Sequence, residues 1–448
     1  MATAPNPQPR HAAPAFGRGS TVRRNLSKSP RTAFSGPANR SIGGKSAAGV
    51  GSASLVSAAV GYVLLLVAAR TLDTEANAVF LAFWSFLFFI FGVLGGITVE
   101  TTRATKASAD LPEADRGSRF AGPALLIGAA TSVVLLATSF WWGGELFGPL
   151  APTLVPVICI VAVVYAGHVT TIGALGGTGR WNKYSVAVFA ESGVRLAAAG
   201  VVFAVGATVG GLAVASALAA AAWLLMLLSS KDVRSAFFSR ADVGAGRYVR
   251  NVLHACMAAM ASAALVVGFP AMLKFTTPDP VYLASAPLLM ALSLTRAPLM
   301  IPLTAFQGVA ITHFMSRKDD GAKAYVPIFL SVLGVAVVGA AAAALIGPWL
   351  MVFLLGPDYH VSGAVLAALT LDSGFLALLT LTGSLTVAAG RHRAYSLGWV
   401  CAVVVSLAVL LLPLGIEAKT VLSLALGPIC GITVHTVFVQ KSLKPTRV

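Results

Sequence analysis

The chain contains about twelve hydrophobic runs of roughly 20 residues, and this repetition constrains its fold more than any other feature. A run of that length crosses a ~30 Å hydrocarbon layer as an α-helix. Hydrophobic residues make up 57% and charged residues 11% of the 448 positions, which excludes an ordinary soluble domain. We therefore predict an all-α polytopic membrane protein with about twelve transmembrane helices. The expected spans are roughly 47–69, 79–99, 120–140, 153–174, 185–205, 209–228, 251–272, 283–311, 325–346, 361–388, 394–415 and 420–440.

Positive charge alternates from one gap between these runs to the next. Of the 32 Lys and Arg residues, 27 fall in every second gap or in the two tails, while the intervening gaps hold only Arg70, Lys274 and Lys419. Short loops rich in Lys and Arg stay in the cytoplasm. We therefore predict a multi-pass protein of the cytoplasmic membrane with both termini inside. The net charge of +16 then reflects loops that bind anionic lipid headgroups, and nucleic-acid binding is not expected.

Residues 1–46 carry eight basic residues and no acidic ones, without the apolar core of a signal peptide. They are predicted to form a disordered cytoplasmic tail; a start codon placed too early is the alternative for part of them. The four cysteines lie inside predicted spans and lack metal-ligand spacing, so neither a metal site nor a disulfide is expected.

Two short patterns recur at nearly equal offsets and divide the spans into two sets of six. The pattern Gly-Arg-x-x-x-Tyr-Ser begins at Gly179 and again at Gly390. The pattern Ile-Thr-x4-Arg ends the second span at 97–103 and the eighth at 311–317. Because six is an even number, the two sets share one orientation, and a substrate path is expected between them.

The predicted domains follow from this division. They are a disordered basic tail (1–46), an N-terminal six-helix bundle (47–228), a cytoplasmic linker (229–250), a C-terminal six-helix bundle (251–440) and a cytoplasmic tail (441–448). Pro287, Pro298 and Pro302 predict that the eighth helix is kinked or broken, because proline removes helix hydrogen bonds.

The connections predicted to lie outside the cell are short, the longest about 14 residues (347–360). An enzyme acting outside the cell needs a larger loop to hold its catalytic groups, so transport is favoured over catalysis. The sequence Gly-x4-Gly-Lys-Ser/Thr does not occur, so direct use of ATP is not expected.

Four segments carry a family resemblance. They are Ala-Ala-Arg-Thr-Leu at 68–72, Gly-Gly-Ile-Thr at 95–98 after an aromatic helix, Gly-Gly-Thr-Gly-Arg at 176–180 and Leu-Leu-Gly-Pro-Asp-Tyr at 354–359. In these segments the chain resembles polysaccharide flippases of the multidrug/oligosaccharidyl-lipid/polysaccharide exporter superfamily. The first external loop departs from the family pattern, since Thr74 and Ala78 stand where Pro and Gly are usual.

This resemblance implies two six-helix bundles arranged as a V. It also implies movement of an isoprenoid-linked sugar from the inner to the outer leaflet of the membrane. The helix that follows the 176–180 turn carries Glu191 and Arg195, which also match the family.

Ionisable side chains inside the spans are the candidate site residues, because each costs about 2.5–3.5 kcal/mol to insert. Glu191 and Arg195 lie four residues apart, on one helix face, in the order that favours an ion pair. The pair is either a structural pair that neutralises itself or a device that holds Arg195 toward a central cavity.

Arg296 has no acidic residue within one helical turn and lies next to the suspected break at Pro298. A phosphate or diphosphate would supply the missing negative charge, since guanidinium binds phosphate oxygens in a bidentate manner. The alternatives are an ion pair with Asp372 across helices, or extension of the side chain to the membrane surface.

The other candidates have weaker arguments. Asp372 is either a proton or cation carrier or the structural partner of an arginine, and His168 is more typical of a hydrogen-bonded core histidine. Arg103 and Arg180 are expected at the cytoplasmic mouth, where they would attract an anionic headgroup or simply set the topology.

The function we predict is a flippase for a polyprenyl-phosphate- or diphosphate-linked glycan that works by alternating access, with Arg296, Arg195, Arg180 and Arg103 as substrate-binding residues. One alternative is a cation-coupled drug or metabolite exporter that uses Asp372 and Glu191. Another is a non-transporting scaffold that recruits glycan-synthesis enzymes. No enzymatic activity and no cofactor are expected, and coupling to protons or sodium stays open.

Overall fold

The computed structural model describes residues 44–300 and 322–443. Several predicted features therefore lie outside the described residues. These are most of the basic tail 1–46, Pro302 with the second half of the eighth span, the 311–317 copy of the Ile-Thr-x4-Arg pattern, and the C-terminal tail from residue 444 onward.

Helices joined by short connections account for nearly all described residues. They are α1 Gly44–Thr71, α2 Thr74–Ala109, α3 Ala121–Phe147, α4 Ala151–Gly177, α5 Trp181–Val205, α6 Val209–Leu218, α7 Ala222–Ser229, α8 Lys231–Phe237, α9 Ala245–Val266, α10 Phe269–Phe275, α11 Asp279–Leu283, α12 Ala286–Met300, α13 Ala322–Leu355, α14 Gly363–Ala388, α15 His392–Leu410 and α16 Ile416–Leu443. Every predicted span overlaps one or two of these helices. The predicted all-α membrane fold is confirmed.

Ten helical stretches in the described residues are long and apolar enough to cross a membrane. One of them, Ala121–Gly177, contains both α3 and α4, which are separated by a 3-10 turn at Gly148–Leu150. The helix α12 is also apolar but shorter. The chain is therefore a multi-pass membrane protein. Within the described ranges, β structure is limited to one antiparallel bridge between Arg119 and Arg240.

The helices α2 and α14 are largely enclosed by other helices, while α1 and α13 are largely exposed. In the most apolar 18-residue segment of each helix, 56% of the segment is buried in α2 and 61% in α14, whereas only 17% is buried in α1 and 11% in α13. Gly96 of α2 packs against the backbone of Cys256 in α9, where a Cβ atom would overlap that backbone. The small residue thus permits the close approach of two helices.

Both copies of the Gly-Arg-x-x-x-Tyr-Ser pattern fold into the same turn. Gly179 and Gly390 each have φ 71°. The amides of Arg180 and Arg391 donate to Leu175 O and Thr386 O, five residues earlier. This is the Schellman motif, in which glycine adopts the left-handed conformation that ends a helix. The internal sequence repeat is therefore a repeat of local structure.

The predicted linker 229–250 is partly helical. It contains α8, and α9 begins at Ala245, earlier than the expected 251. The amide of Gly117 donates to Ala241 O at 2.8 Å, and the amide of Ala241 donates to Ser118 O at 2.9 Å. The linker is thus held against the loop between α2 and α3.

At the opposite end of the helices, all three basic residues from the charge-poor gaps have partners. Arg70 Nε donates to Leu354 O at 2.7 Å, Lys274 pairs with Asp279, and Lys419 Nζ donates to Thr276 O at 2.7 Å. Two segments of the family resemblance, 68–72 and 354–359, therefore touch each other.

A second hydrogen bond joins the start of α2 to the segment 354–359. Asn77 Nδ2 donates to the buried Tyr359 hydroxyl at 2.7 Å. Burial raises the pKa of Tyr359, so the hydroxyl stays neutral and accepts this hydrogen bond.

Candidate functional site

A cavity of about 490 Å³ lies among α1, α2, α4, α5, α9, α10 and α12. This volume is within the range typical of small-molecule sites, roughly 300–1,000 Å³. Its charged lining residues are Glu191, Arg195 and Arg296. We call this space the central cavity. It contains three of the seven candidate residues from the sequence.

One wall of the central cavity carries an arginine paired with a carboxylate. The Arg195 Nη2 atom donates to Glu191 Oε1 at 2.5 Å, which is the ion pair expected from their spacing on α5. The other carboxylate oxygen, Glu191 Oε2, lies 3.3 Å from His168 Nε2 of α4. His168, which lies on a different helix, thus contacts the Glu191–Arg195 ion pair.

Aromatic rings complete this wall. The Arg195 guanidinium lies 5.6 Å from the centre of the Phe88 ring, and the Tyr165 ring stacks on His168 with centroids 5.6 Å apart. Contact of a guanidinium with a ring face stabilises a desolvated cation. Arg195 Nε and His168 Nδ1 are buried without a hydrogen-bond partner among the described residues. This wall therefore keeps unused hydrogen-bonding capacity.

The opposite wall carries an arginine held by carbonyl groups. Arg296 Nη1 donates to Leu265 O at 3.2 Å and to Val266 O at 2.8 Å. These carbonyls belong to the last residues of α9, where the helix dipole favours a cation. The guanidinium also lies 5.7 Å from the centre of the Phe269 ring. In the described part of the chain, no acidic residue forms an ion pair with Arg296.

Helix α1 connects the two walls of the central cavity. The Tyr62 hydroxyl donates to Ser293 O of α12 at 3.2 Å. On α1, most of the residues facing the central cavity are small or polar and follow helical spacing: Ser54, Ser57, Ala58, Gly61 and Tyr62, with Leu65 as the exception. One face of α1 therefore forms a polar lining between the two arginines.

Asp372 is buried in α14 and does not line the central cavity. It is close enough to Arg296 for the two charges to interact, yet the two side chains form no ion pair in the described structure. Its Oδ2 atom has no hydrogen-bond partner among the described residues. The direct Arg296–Asp372 pair considered from the sequence is not formed.

Arg103 and Arg180 lie outside the central cavity. Arg103 binds two carboxylates, Glu100 at 2.6 Å and Asp242 at 2.9 Å. Arg180 donates to the Asp232 carbonyl and to Ser235 Oγ of α8. Both guanidinium groups thus hold the linker in place, and any role in attracting a substrate stays a prediction.

The sequence reasoning missed the aromatic residues of the central cavity. Trp84 and Phe88 of α2 line it together with Tyr165 of α4. The four-residue spacing of Trp84 and Phe88 within an aromatic-rich run was a usable signal, because it places both rings on one helix face. Tyr165 comes from a separate helix, and nothing in the sequence joins it to them.

Among the described residues, no cluster of three or more His, Cys, Asp or Glu side chains could hold a metal ion. The cysteines Cys159, Cys256, Cys401 and Cys430 are all free. The chemistry of the central cavity is therefore that of two guanidinium groups, one carboxylate, several hydroxyl groups and several aromatic rings, with the His168 imidazole beside the carboxylate but outside the lining.

Two mycobacterial proteins are similar in sequence over nearly their whole length. Uncharacterized protein Rv3630 of Mycobacterium tuberculosis (strain ATCC 25618 / H37Rv) is 36% identical over 410 residues, which cover 91% of this chain and 95% of that protein. Uncharacterized protein Rv1510 of the same strain is 38% identical over 394 residues, 87% of this chain and 90% of that protein. No protein-family model matches the chain.

Solved transporter structures are similar in fold. A multidrug resistance MATE family transporter of the MOP superfamily, in its inward-facing conformation, superposes with a TM-score of 0.66 at 15% identity, over 89% of this chain and 96% of that one. Its outward-facing conformation gives a TM-score of 0.61. A MOP superfamily transporter from Pyrococcus furiosus Vc1 (DSM3638), described as having a binding pocket of reverse polarity, gives 0.64 at 14% identity, over 89% and 96% of the two chains. The chain thus has the MATE transporter fold.

Proposed function

Since this chain belongs to the same family as the mycobacterial proteins Rv3630 and Rv1510 and has the fold of MOP superfamily transporters, we propose that it is a lipid flippase. Its substrate is a glycan linked to a polyprenyl phosphate or diphosphate, which moves from the inner to the outer leaflet by alternating access. The protein lies in the cytoplasmic membrane with both termini inside, as the alternation of Lys and Arg predicts.

The observation that carries this proposal is the position of Arg296. This residue is only 8% exposed, lines the central cavity and forms no ion pair among the described residues. Its hydrogen bonds to described residues all come from Nη1, so Nε and Nη2 remain for a ligand. A phosphate group supplies both the missing charge and the two acceptor oxygens that a guanidinium binds.

The central cavity also suits the sugar part of the substrate. Trp84, Phe88 and Tyr165 present flat apolar faces, and the serines of α1 offer hydroxyl groups. A sugar ring has both apolar C–H faces and hydroxyl groups, so it matches a lining of rings beside short polar side chains. The cavity thus replaces the water that a polar headgroup would lose in hydrocarbon.

The membrane potential favours this direction of transport. Moving one negative charge outward from a negative interior is favourable by ~2.3 kcal/mol per 100 mV. Asp372, with its unpartnered carboxylate oxygen near Arg296, is the proposed site of coupling to a proton or cation. The basic loops bind anionic lipids, and enzymes of glycan synthesis are the proposed protein partners.

The proposal is tested by measuring transport in liposomes. Protein is reconstituted with a fluorescent polyprenyl-diphosphate-linked sugar, and a membrane-impermeant quencher reports how fast the label changes leaflet. We expect Arg296→Ala to slow this rate at least tenfold, equivalent to ~1.4 kcal/mol. Arg296→Lys keeps the charge but loses the bidentate geometry, so we expect an intermediate rate.

The matched control is Arg247→Ala, which removes an exposed guanidinium from α9. Wild-type transport in both Arg247→Ala and Arg296→Ala would remove Arg296 from the mechanism. Movement of an organic cation by the wild type, with no movement of the lipid-linked sugar, would instead indicate the exporter alternative. In that case Arg296→Ala should leave or increase cation transport, because it removes a repulsive charge.

A further inference from the structure

A second, apolar space lies beside the central cavity. It is a groove of about 190 Å³ between α1 and α5. The residues that form its two sides are Val63, Leu64 and Val67 of α1 and Leu196, Gly200 and Phe203 of α5. Arg195 lines both the groove and the central cavity, so the two spaces lie on either side of this residue.

The two spaces lie on different faces of α1. Gly61 and Tyr62 face the central cavity, whereas Val63 and Val67 face the groove. The central-cavity side of this helix is therefore mostly small or polar, with Leu65 as the exception, and the groove side is aliphatic. Arg195 itself is only 2% exposed, and Glu191 holds it from the side of the central cavity.

The outer side of the groove faces hydrocarbon. Val63 is 43%, Leu196 48% and Phe203 61% exposed on helices that span the membrane. Large apolar side chains exposed on such helices contact lipid chains. Going inward from the membrane, an aliphatic groove is thus followed by the central cavity, and Arg195 lines both.

From this arrangement we infer that the groove holds the hydrocarbon chain of the transported lipid while its phosphate group and its sugar occupy the central cavity. The inference rests on the proposed function and adds a site for the chain. A polyprenyl-phosphate glycan has the matching parts: an apolar chain attached to a charged, polar headgroup. Val67 and Phe203 lie near the α1 and α5 ends that are predicted to face outside, so the groove is the place from which the lipid enters the outer leaflet.

A glycine makes the groove testable without distorting the helices. A Cβ atom added at Gly200 has no protein atom within 4 Å, so Gly200→Leu fills the groove rather than displacing a neighbour. Gly193 provides a matched control, because it lies on the same helix, is exposed, has the same free space and lines neither the groove nor the central cavity. Gly193→Leu thus makes the same chemical change outside the site.

The experiment uses a polyprenyl diphosphate with a photoreactive diazirine in its chain, bound to the full-length protein in nanodiscs. We expect cross-links in 60–67 and 196–203, prevented by excess unlabelled polyprenyl diphosphate and not by polyprenol. Gly200→Leu should lower this labelling at least fivefold and slow transport in liposomes. Gly193→Leu should match the wild type in both measurements.

Three outcomes would overturn the inference. They are cross-links elsewhere on the protein, equal labelling of the groove by a diazirine phosphatidylcholine, and wild-type labelling of Gly200→Leu. The first outcome is independent of any variant, so the inference can fail even if Gly200→Leu does not fold. A wild-type protein that moves no lipid-linked sugar in liposomes removes the proposed function itself. Transport by the wild type with labelling outside the groove removes the groove inference alone.

Discussion

The two walls of the central cavity each bury an arginine, but they satisfy its charge in different ways. On the α5 wall, Arg195 binds a carboxylate, and His168 contacts the other oxygen of that carboxylate. On the α12 wall, Arg296 donates to two main-chain carbonyls and has no acidic partner among the described residues.

This difference separates stability from function. A carbonyl group carries only a partial charge, so the Arg296 guanidinium is hydrogen-bonded to no full negative charge among the described residues, and an anion in the central cavity can supply one. The α5 wall is nearly neutral by itself, and loss of one partner leaves the other as an unpaired buried charge. We therefore expect changes on the α5 wall to act mainly on folding, and changes at Arg296 mainly on transport.

The largest expected effect on stability comes from Glu191→Gln. It leaves the Arg195 guanidinium buried without its carboxylate, so we expect the free energy of unfolding to fall by about 3–5 kcal/mol. Thermal unfolding in detergent micelles measures this loss. Glu145→Gln, an exposed carboxylate on α3, is the control and should leave the midpoint unchanged.

The double variant Glu191→Gln with Arg195→Gln sharpens the same test. Removing both charges together should recover at least half of the stability lost in the single variant, because no unpaired charge remains. If the double variant is as unstable as the sum of the two single variants, the pair is not the reason why the α5 wall is stable.

A smaller effect is expected from His168→Phe. The phenyl ring keeps the stacking on Tyr165 but loses the contact with Glu191, so we expect a loss of about 0.5–1.5 kcal/mol. The midpoint of thermal unfolding again reports the change, and His254→Phe on the exposed side of α9 is the control. A loss as large as that of Glu191→Gln would place His168 at the centre of the charged group instead of at its edge.

The smallest effect on transport is expected from Arg103→Ala. This arginine lies outside the central cavity, so we expect no change in transport, whereas loss of its ion pair with the buried Glu100 should lower the free energy of unfolding by about 1–3 kcal/mol. Stability and liposome transport are measured on the same preparation. A loss of transport as large as that of Arg296→Ala would show that a paired, exposed arginine also takes part in transport. The proposed division between stability on the α5 wall and transport at Arg296 would then be wrong.

Local features of the sequence predicted much of the fold. The apolar runs located the helices, because a segment surrounded by hydrocarbon must satisfy its backbone hydrogen bonds internally. The repeated Gly-Arg pattern corresponds to two identical helix-ending turns at Gly179 and Gly390. The Glu191–Arg195 ion pair followed from four-residue spacing on one helix.

The partners of the other candidates came from distant parts of the chain. Arg296 meets the end of α9, His168 meets Glu191 across two helices, and Arg103 meets Asp242 from the linker. Helix α9 also begins earlier than the hydrophobicity of the sequence indicated. Tyr248, which lies in the predicted linker, is fully buried, and its hydroxyl is hydrogen-bonded to the Thr101 hydroxyl at 2.6 Å.

The sequence by itself determined which segments form spanning helices, the glycine turns that end two of them and which neighbours along one helix form pairs, because those properties depend on contacts a few residues apart. Only the tertiary structure decided that two arginines from α5 and α12 face one cavity, and that one of them is paired with a carboxylate and the other is not. Helix packing sets these contacts through the shapes of whole surfaces, and no spacing within a single segment encodes them.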